Sequence, residues 1–217
     1  MRIKAYIAEF IGTFALVFVG VGAIANGQND LTGIALAHGL TIAVMASATA
    51  AVSGGHLNPA VTIGLLTAKK INLTNALGYI IAQCLGALAG ASLIKLCLPA
   101  TLLIAANMGT PAPGVGIDPT MALMTEIVLT FFLVFVIYGT AVDRRAPKVG
   151  GLFIGLAVAL DILIGGPISG AAMNPARHLG PALLGGGIQY IWLYWLGPVL
   201  GGILGAQVYK IFIEEKM

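Results

Sequence analysis

Six long apolar segments, near residues 5–25, 32–52, 73–97, 121–142, 149–167 and 189–212, alternate with short polar or Gly/Pro-rich breaks. A helix rises about 1.5 Å per residue, so each segment has the length that crosses a hydrocarbon core about 30 Å thick. Two further apolar runs, 58–68 and 174–184, are half as long. A helix of about ten residues reaches only about 15 Å into such a core. Both runs open on one tripeptide, Asn58-Pro59-Ala60 and Asn174-Pro175-Ala176, after a Gly/Ser-rich approach, Ser53-Gly54-Gly55 and Ser169-Gly170-Ala171. The pattern predicts an all-α membrane protein of six transmembrane helices plus two re-entrant half-helices that start inside the membrane.

The order of elements repeats. Ala5, Glu9, Thr13, Phe14, Leu16 and Val17-Phe18-Val19 recur as Ala122, Glu126, Thr130, Phe131, Leu133 and Val134-Phe135-Val136, and Gly39-Leu40 recurs as Gly155-Leu156. Each half holds three spans, an odd number, so the second half is expected upside down relative to the first, with its half-helix entering from the opposite face. The expected organisation is a single transmembrane domain over 1–217, with inverted repeats at about 1–97 and 121–217 and a Pro/Gly-rich linker at 98–120.

Composition agrees with a membrane chain. Hydrophobic residues make up 59% and charged residues 9% of the 217, and the mean hydropathy is +0.99. Ordinary soluble domains carry about 25% charge. The net charge of +3 is dispersed and offers no nucleic-acid surface, but its placement sets orientation. Arg2, Lys4, Lys69, Lys70, Arg144, Arg145, Lys148, Lys210 and Lys216 fall on the side of both termini, against Arg177 and Lys95 on the other. Cytoplasmic termini, in the cell membrane, are therefore expected. The two cysteines, Cys84 and Cys97, lie on one predicted helix about 20 Å apart and cannot pair with each other.

The tripeptide carries the chemistry. Proline suits a first helical position, where its missing N–H has no partner to lose, and asparagine before it caps the helix through its side-chain oxygen. The side-chain NH₂ is left as a donor. Backbone that is not helical is tolerated at membrane depth only where it is buried in protein or lines a wet cavity. The carbonyls of Gly54, Gly55, His56 and Leu57, and of Gly170, Ala171, Ala172 and Met173, are thus candidate pore-lining acceptors. Two half-helices meeting N-terminus to N-terminus place partial positive charge at the midplane, which repels cations and protons and accepts a neutral hydrogen-bonding molecule. A lone Asn-Pro starts many ordinary helices and turns. Two copies at matching places in a repeat, each before a half-length apolar run, point to a pore.

These residues are similar to the aquaporin or major intrinsic protein family. Ser53 to Thr62 (SGGHLNPAVT) and Ser169 to Leu183 (SGAAMNPARHLGPAL) match its two loop motifs, and Glu9 and Glu126 match acidic residues of its first and fourth helices. The resemblance covers essentially the whole chain. It implies one pore per subunit, a homotetramer in the lipid bilayer, water and small neutral solutes as what passes, Glu9 and Glu126 as anchors of the loops, and no cofactor or metal. It also implies a narrower filter of His38, Ile162, Ala171 and Arg177, a set like that of vacuolar-membrane plant members. His178 stands where glycerol channels of the family have Asp, and Tyr194-Trp195 matches the aromatic pair of its water channels. Water is the expected main solute, with ammonia as a second. A glycerol channel is the alternative within the family.

A secondary transporter shares inverted repeats and broken helices, but it needs convergent carboxylates or another coupling site where this chain has two asparagines. An enzyme is not expected, because the sequence holds no HExxH, GxSxG or P-loop. Asp161, beside Ile162, has no partner that the sequence identifies.

Overall fold

The structure is a computed structural model that describes residues 2–146, 149–185 and 187–215, and over them every regular element is helical. Lys148 and Lys216 of the orientation argument lie outside the described residues. Six helices are long and apolar enough to cross a membrane: α1 (Arg2–Ala25), α2 (Leu31–Ser53), α4 (Leu73–Cys97), α6 (Pro119–Val142), α7 (Gly150–Ser169) and α9 (Ile188–Phe212). The half-helices are α3 (Pro59–Thr67) and α8 (Pro175–Gly185). The stretch 98–120 is more than a connection, since it contains a short helix α5 (Ala100–Ala105) and a 3-10 turn at Asn107–Gly109.

Local chemistry sets the ends. Asp30 caps α2 by accepting from Gly33 N at 2.8 Å, Asn72 caps α4 from Asn75 N at 2.9 Å, and Asp118 caps α6 from Thr120 N at 2.7 Å with Pro119 in the first turn. α2 and α7 both stop on a glycine with left-handed backbone, Gly54 at φ 90° and Gly170 at φ 77°, where a side chain is disfavoured. Two π-helical stretches, Leu16–Val21 in α1 and Tyr138–Val142 in α6, widen helices that border the central cavity.

The spans pack as α1 on α4, α6 on α9, and α2 on α7. At the last crossing a Cβ on Gly39 would fall 2.6 Å from the carbonyl oxygen of Gly155, so the two backbones touch only because neither residue has a side chain. The half-helices are exchanged between the halves: α3 packs chiefly on α9, and α8 chiefly on α4. Polarity is distributed inside out. Glu9, Thr13, Gln83, Glu126, Thr130 and His178 are fully buried, whereas rows such as Leu73-Leu77-Ile81-Leu85 on α4 are more than half exposed. Only a hydrocarbon surround makes such rows stable. The protein is an integral, multi-pass membrane protein.

One end carries an ion-pair cluster. Lys70 Nζ lies 2.6 Å from Glu214 Oε1, Tyr138 donates to Glu214 at 2.9 Å, and Arg145 holds Asp143 with two bonds and Glu215 at 3.1 Å. The Arg145 bonds hold the Asp143 carboxyl below the usual carboxylate range, and the Lys70 bond lowers that of Glu214. These contacts bring the turn after α3, the α6–α7 turn and the chain's last described residues together.

Candidate functional site

The first turns of α3 and α8 meet inside the bundle. Asn58 accepts from Ala60 N at 2.8 Å, and Asn174 from Ala176 N at 3.0 Å and Arg177 N at 3.2 Å, so both are true helix caps. Each side-chain NH₂ then crosses to the other loop: Asn58 Nδ2 donates to Met173 O at 2.8 Å and Asn174 Nδ2 to Leu57 O at 2.9 Å. Pro59, Ala60, Pro175 and Ala176 are buried behind them.

This reciprocal tie alters the expected row of acceptors. The carbonyl of Leu57 accepts from Asn174 and from Thr13 Oγ1, and that of Met173 from Asn58, so these two are engaged within the protein. Gly55, His56, Ala171, Ala172 and Met173 border the cavity, Gly170 borders the vestibule beyond it, and Gly54 borders neither. The turns needed to present them are strained. Leu57, Ala171 and Met173 have φ of 52°, 44° and 50°, in the left-handed region that residues with a side chain rarely occupy.

Two buried carboxylates hold that backbone. Glu9 Oε1 accepts from Ser53 Oγ at 2.6 Å and His56 N at 3.0 Å, and Oε2 from Leu57 N at 2.6 Å and Gln83 Nε2 at 2.7 Å. Glu126 accepts from Ser169 Oγ at 2.7 Å, Ala172 N at 2.8 Å and Met173 N at 2.7 Å. The four backbone donors, of His56, Leu57, Ala172 and Met173, are those that a non-helical loop leaves without a helical acceptor.

The cavity runs between the half-helix tips and the faces of α1, α2, α6 and α7. Leu16, Ile42, Val61, Leu133, Ile137, Ile154, Val158 and Ile162 make it mostly apolar, with Asn58 and Asn174 midway and His38 and Arg177 toward one end. His38, Ile162 and Arg177 also border the vestibule that opens there, and Ala171 lines the cavity beside them. Arg177 is 3% exposed; its Nη1 donates to Gly109 O at 3.1 Å and its Nη2 lies 3.2 Å from His38 Nε2. Because His38 Nδ1 sits 2.9 Å from the Ile34 carbonyl, which can only accept, Nδ1 carries the proton and Nε2 accepts from Arg177. A side chain at Gly20 would run into the His38 ring.

The family resemblance brings forward His38, Ile162, Ala171 and Arg177 but not Gly109, whose carbonyl fixes Arg177 from the linker. A backbone acceptor so far along the chain leaves no residue-type signal. Nor does the sequence pair His178 with Tyr194, whose rings stack at 4.2 Å behind the second loop.

The chain is similar along its length to proteins of known kind. The family model described as major intrinsic protein matches residues 1–209. "Aquaporin TIP4-4" of Zea mays is 44% identical over 95% of this chain and 85% of its own, and "Probable aquaporin TIP-type" of Antirrhinum majus is 41% identical over 97% and 88%. The X-ray structure of the aquaglyceroporin from Plasmodium falciparum superposes with a TM-score of 0.87 at 28% identity, over 98% of this chain and 97% of the other. With its two capped half-helices tied tip to tip inside six spans, this chain belongs to the major intrinsic protein family.

Proposed function

We propose that the protein is a passive channel for water that refuses ions and protons. The observation that carries the reading is the tip-to-tip meeting of α3 and α8, with Asn58 and Asn174 both tied across the gap and both bordering one cavity. Two helix N-termini put partial positive charge at that point, and the fixed guanidinium of Arg177 adds a full one at the constriction. A cation meets an electrostatic barrier there. A water molecule meets donors at the asparagines and at Arg177, between apolar walls that hold it weakly.

His38, Ile162, Ala171 and Arg177 act as the filter, and Glu9 and Glu126 as loop anchors. Ammonia is a second solute, because a filter wider than that of strict water channels, and polar at His38 and Arg177, admits it. In proteoliposomes under an osmotic step, the protein speeds shrinkage well above that of empty vesicles. No acceleration would sink the water reading, and glycerol flux comparable to water would move the protein to a polyol channel.

Both termini are cytoplasmic, in the cell membrane, and four copies assemble. The orientation is supported by Lys70, Arg145 and the last described residues gathering at one end. Cys97, exposed at the far end of α4, reports it: an impermeant thiol reagent added to intact cells labels Cys97, and lack of labelling overturns the placement. Assembly is supported by a groove between α6 and α7 with Asp161 in its lining. Asp161 Oδ2 has no hydrogen-bond partner among the described residues. A monomer mass by light scattering in mild detergent counts against it.

A further inference from the structure

We propose that His178 and Tyr194 are a positioning pair: their stack fixes two of the four constriction side chains, Ala171 and Arg177, from behind. The inference rests on the filter reading above. Neither ring is among the residues that border the cavity or the vestibule, and both are fully buried. The rings lie 4.2 Å apart with planes 21° from parallel.

Each ring is joined to a different part of the constriction. His178 follows Arg177 in the first turn of α8, so displacement of its ring turns the stretch that carries the guanidinium. The Tyr194 hydroxyl donates to the carbonyl of Ser169, the last residue of α7. The Ser169 hydroxyl in turn receives Ala171 N at 3.2 Å and donates to Glu126 at 2.7 Å, and Tyr194 packs on Ala172 in a buried cluster. The stack therefore couples the strained loop bearing Ala171 to the helix bearing Arg177.

Thr62 occupies the matching place in the first half, and it is held by hydrogen bonds. Its hydroxyl meets Asn58 O at 3.0 Å, Gln83 Nε2 at 3.1 Å and His56 Nδ1 at 3.1 Å. His178 makes no such bond: among the described residues neither ring nitrogen has a partner. It is the flat face of the ring that is used here.

The substitutions that separate face from nitrogen are His178→Phe and His178→Ala, read as the ratio of glycerol to water permeability in proteoliposomes. The ratio cancels any change in the amount of folded protein. His178→Phe keeps the ratio within about twofold of the parent, whereas His178→Ala raises it about threefold or more. Tyr194→Phe, which keeps the stack but drops the bond to Ser169, shifts it in the same direction, and combined with His178→Ala the two changes are less than multiplicative. An unchanged ratio in His178→Ala, or an equal shift in His178→Phe, overturns the proposal. If His178→Ala does not assemble, His178→Leu takes its place under the same criteria. A parent protein that conducts no water strikes the channel reading instead.

Discussion

The two ends of the cavity use similar backbone and opposite chemistry. Toward one end stand His38, Ile162, Ala171 and Arg177; their counterparts in the repeat are Ile154, Ala46, Gly55 and Val61. In both halves of the repeat a half-helix begins with Asn-Pro-Ala at the middle of the cavity, a buried glutamate collects the loop's N–H groups, and an asparagine reaches across to the opposite loop. The residue after the tripeptide then differs: a guanidinium clamped between Gly109 O and His38, or a valine in the apolar wall. The repeat supplies the opening, and in the function proposed above the side chains that break the repeat supply discrimination.

The largest expected effect comes from what the two ends share. Hydrogen bonds to a charged group contribute about 1.5–3 kcal/mol each. Removing Glu126 leaves three donors without their acceptor, and removing Glu9 leaves four, because Glu9 also holds Gln83. Glu126→Ala should cost about 4.5 kcal/mol or more in reversible unfolding from mixed micelles, and Glu9→Ala about 1.5 kcal/mol beyond that. The reverse order would show that the second loop depends more on its anchor than its bonds indicate.

A smaller effect tests what they do not share. Arg177→Val gives the polar end the valine of the apolar end. Glycerol flux should rise about tenfold, which is about 1.4 kcal/mol off its barrier, while osmotic water flux stays within about twofold. If both fluxes stay at the parent values, selectivity does not reside in the polar end.

The smallest effect concerns the ion pairs beyond the apolar end. Asp143 and Glu214 have lowered carboxyl pKa values in the folded chain, so their contribution is complete above the ordinary carboxylate range, about 4, and is lost as pH falls below it. Thermal stability should be flat from pH 8 to 5 in this respect. Glu214→Gln should cost less than about 1 kcal/mol, with still less effect in high salt. A marked change in water flux on that substitution would mean that charge, and not packing, governs this end.

Much of this was legible in the chain. Spans are written as long apolar runs because a bilayer demands an internally bonded backbone of fixed length, and the half-helices are written as short ones behind a proline. The paired glutamates and asparagines could be placed because a repeat lets one half interpret the other. Where the halves diverge that interpretation stops. Nothing local marks the Gly109 carbonyl as the clamp on Arg177, or the Leu57 and Met173 carbonyls as acceptors for the asparagine of the opposite loop, since a buried donor takes the acceptor nearest in space.

The sequence by itself determined the membrane class, the six spans, the two capped half-helices and the residue types available at the constriction. The first three follow from periodicity, length and the conformational limits of proline and glycine, and the last from the family resemblance. The tertiary structure decided which nitrogen of His38 faces Arg177, which carbonyls take the asparagine bonds, and that the ring of His178 lies against that of Tyr194. Those outcomes depend on distances of about 3–4 Å between groups far apart in the chain, and only packing sets such distances.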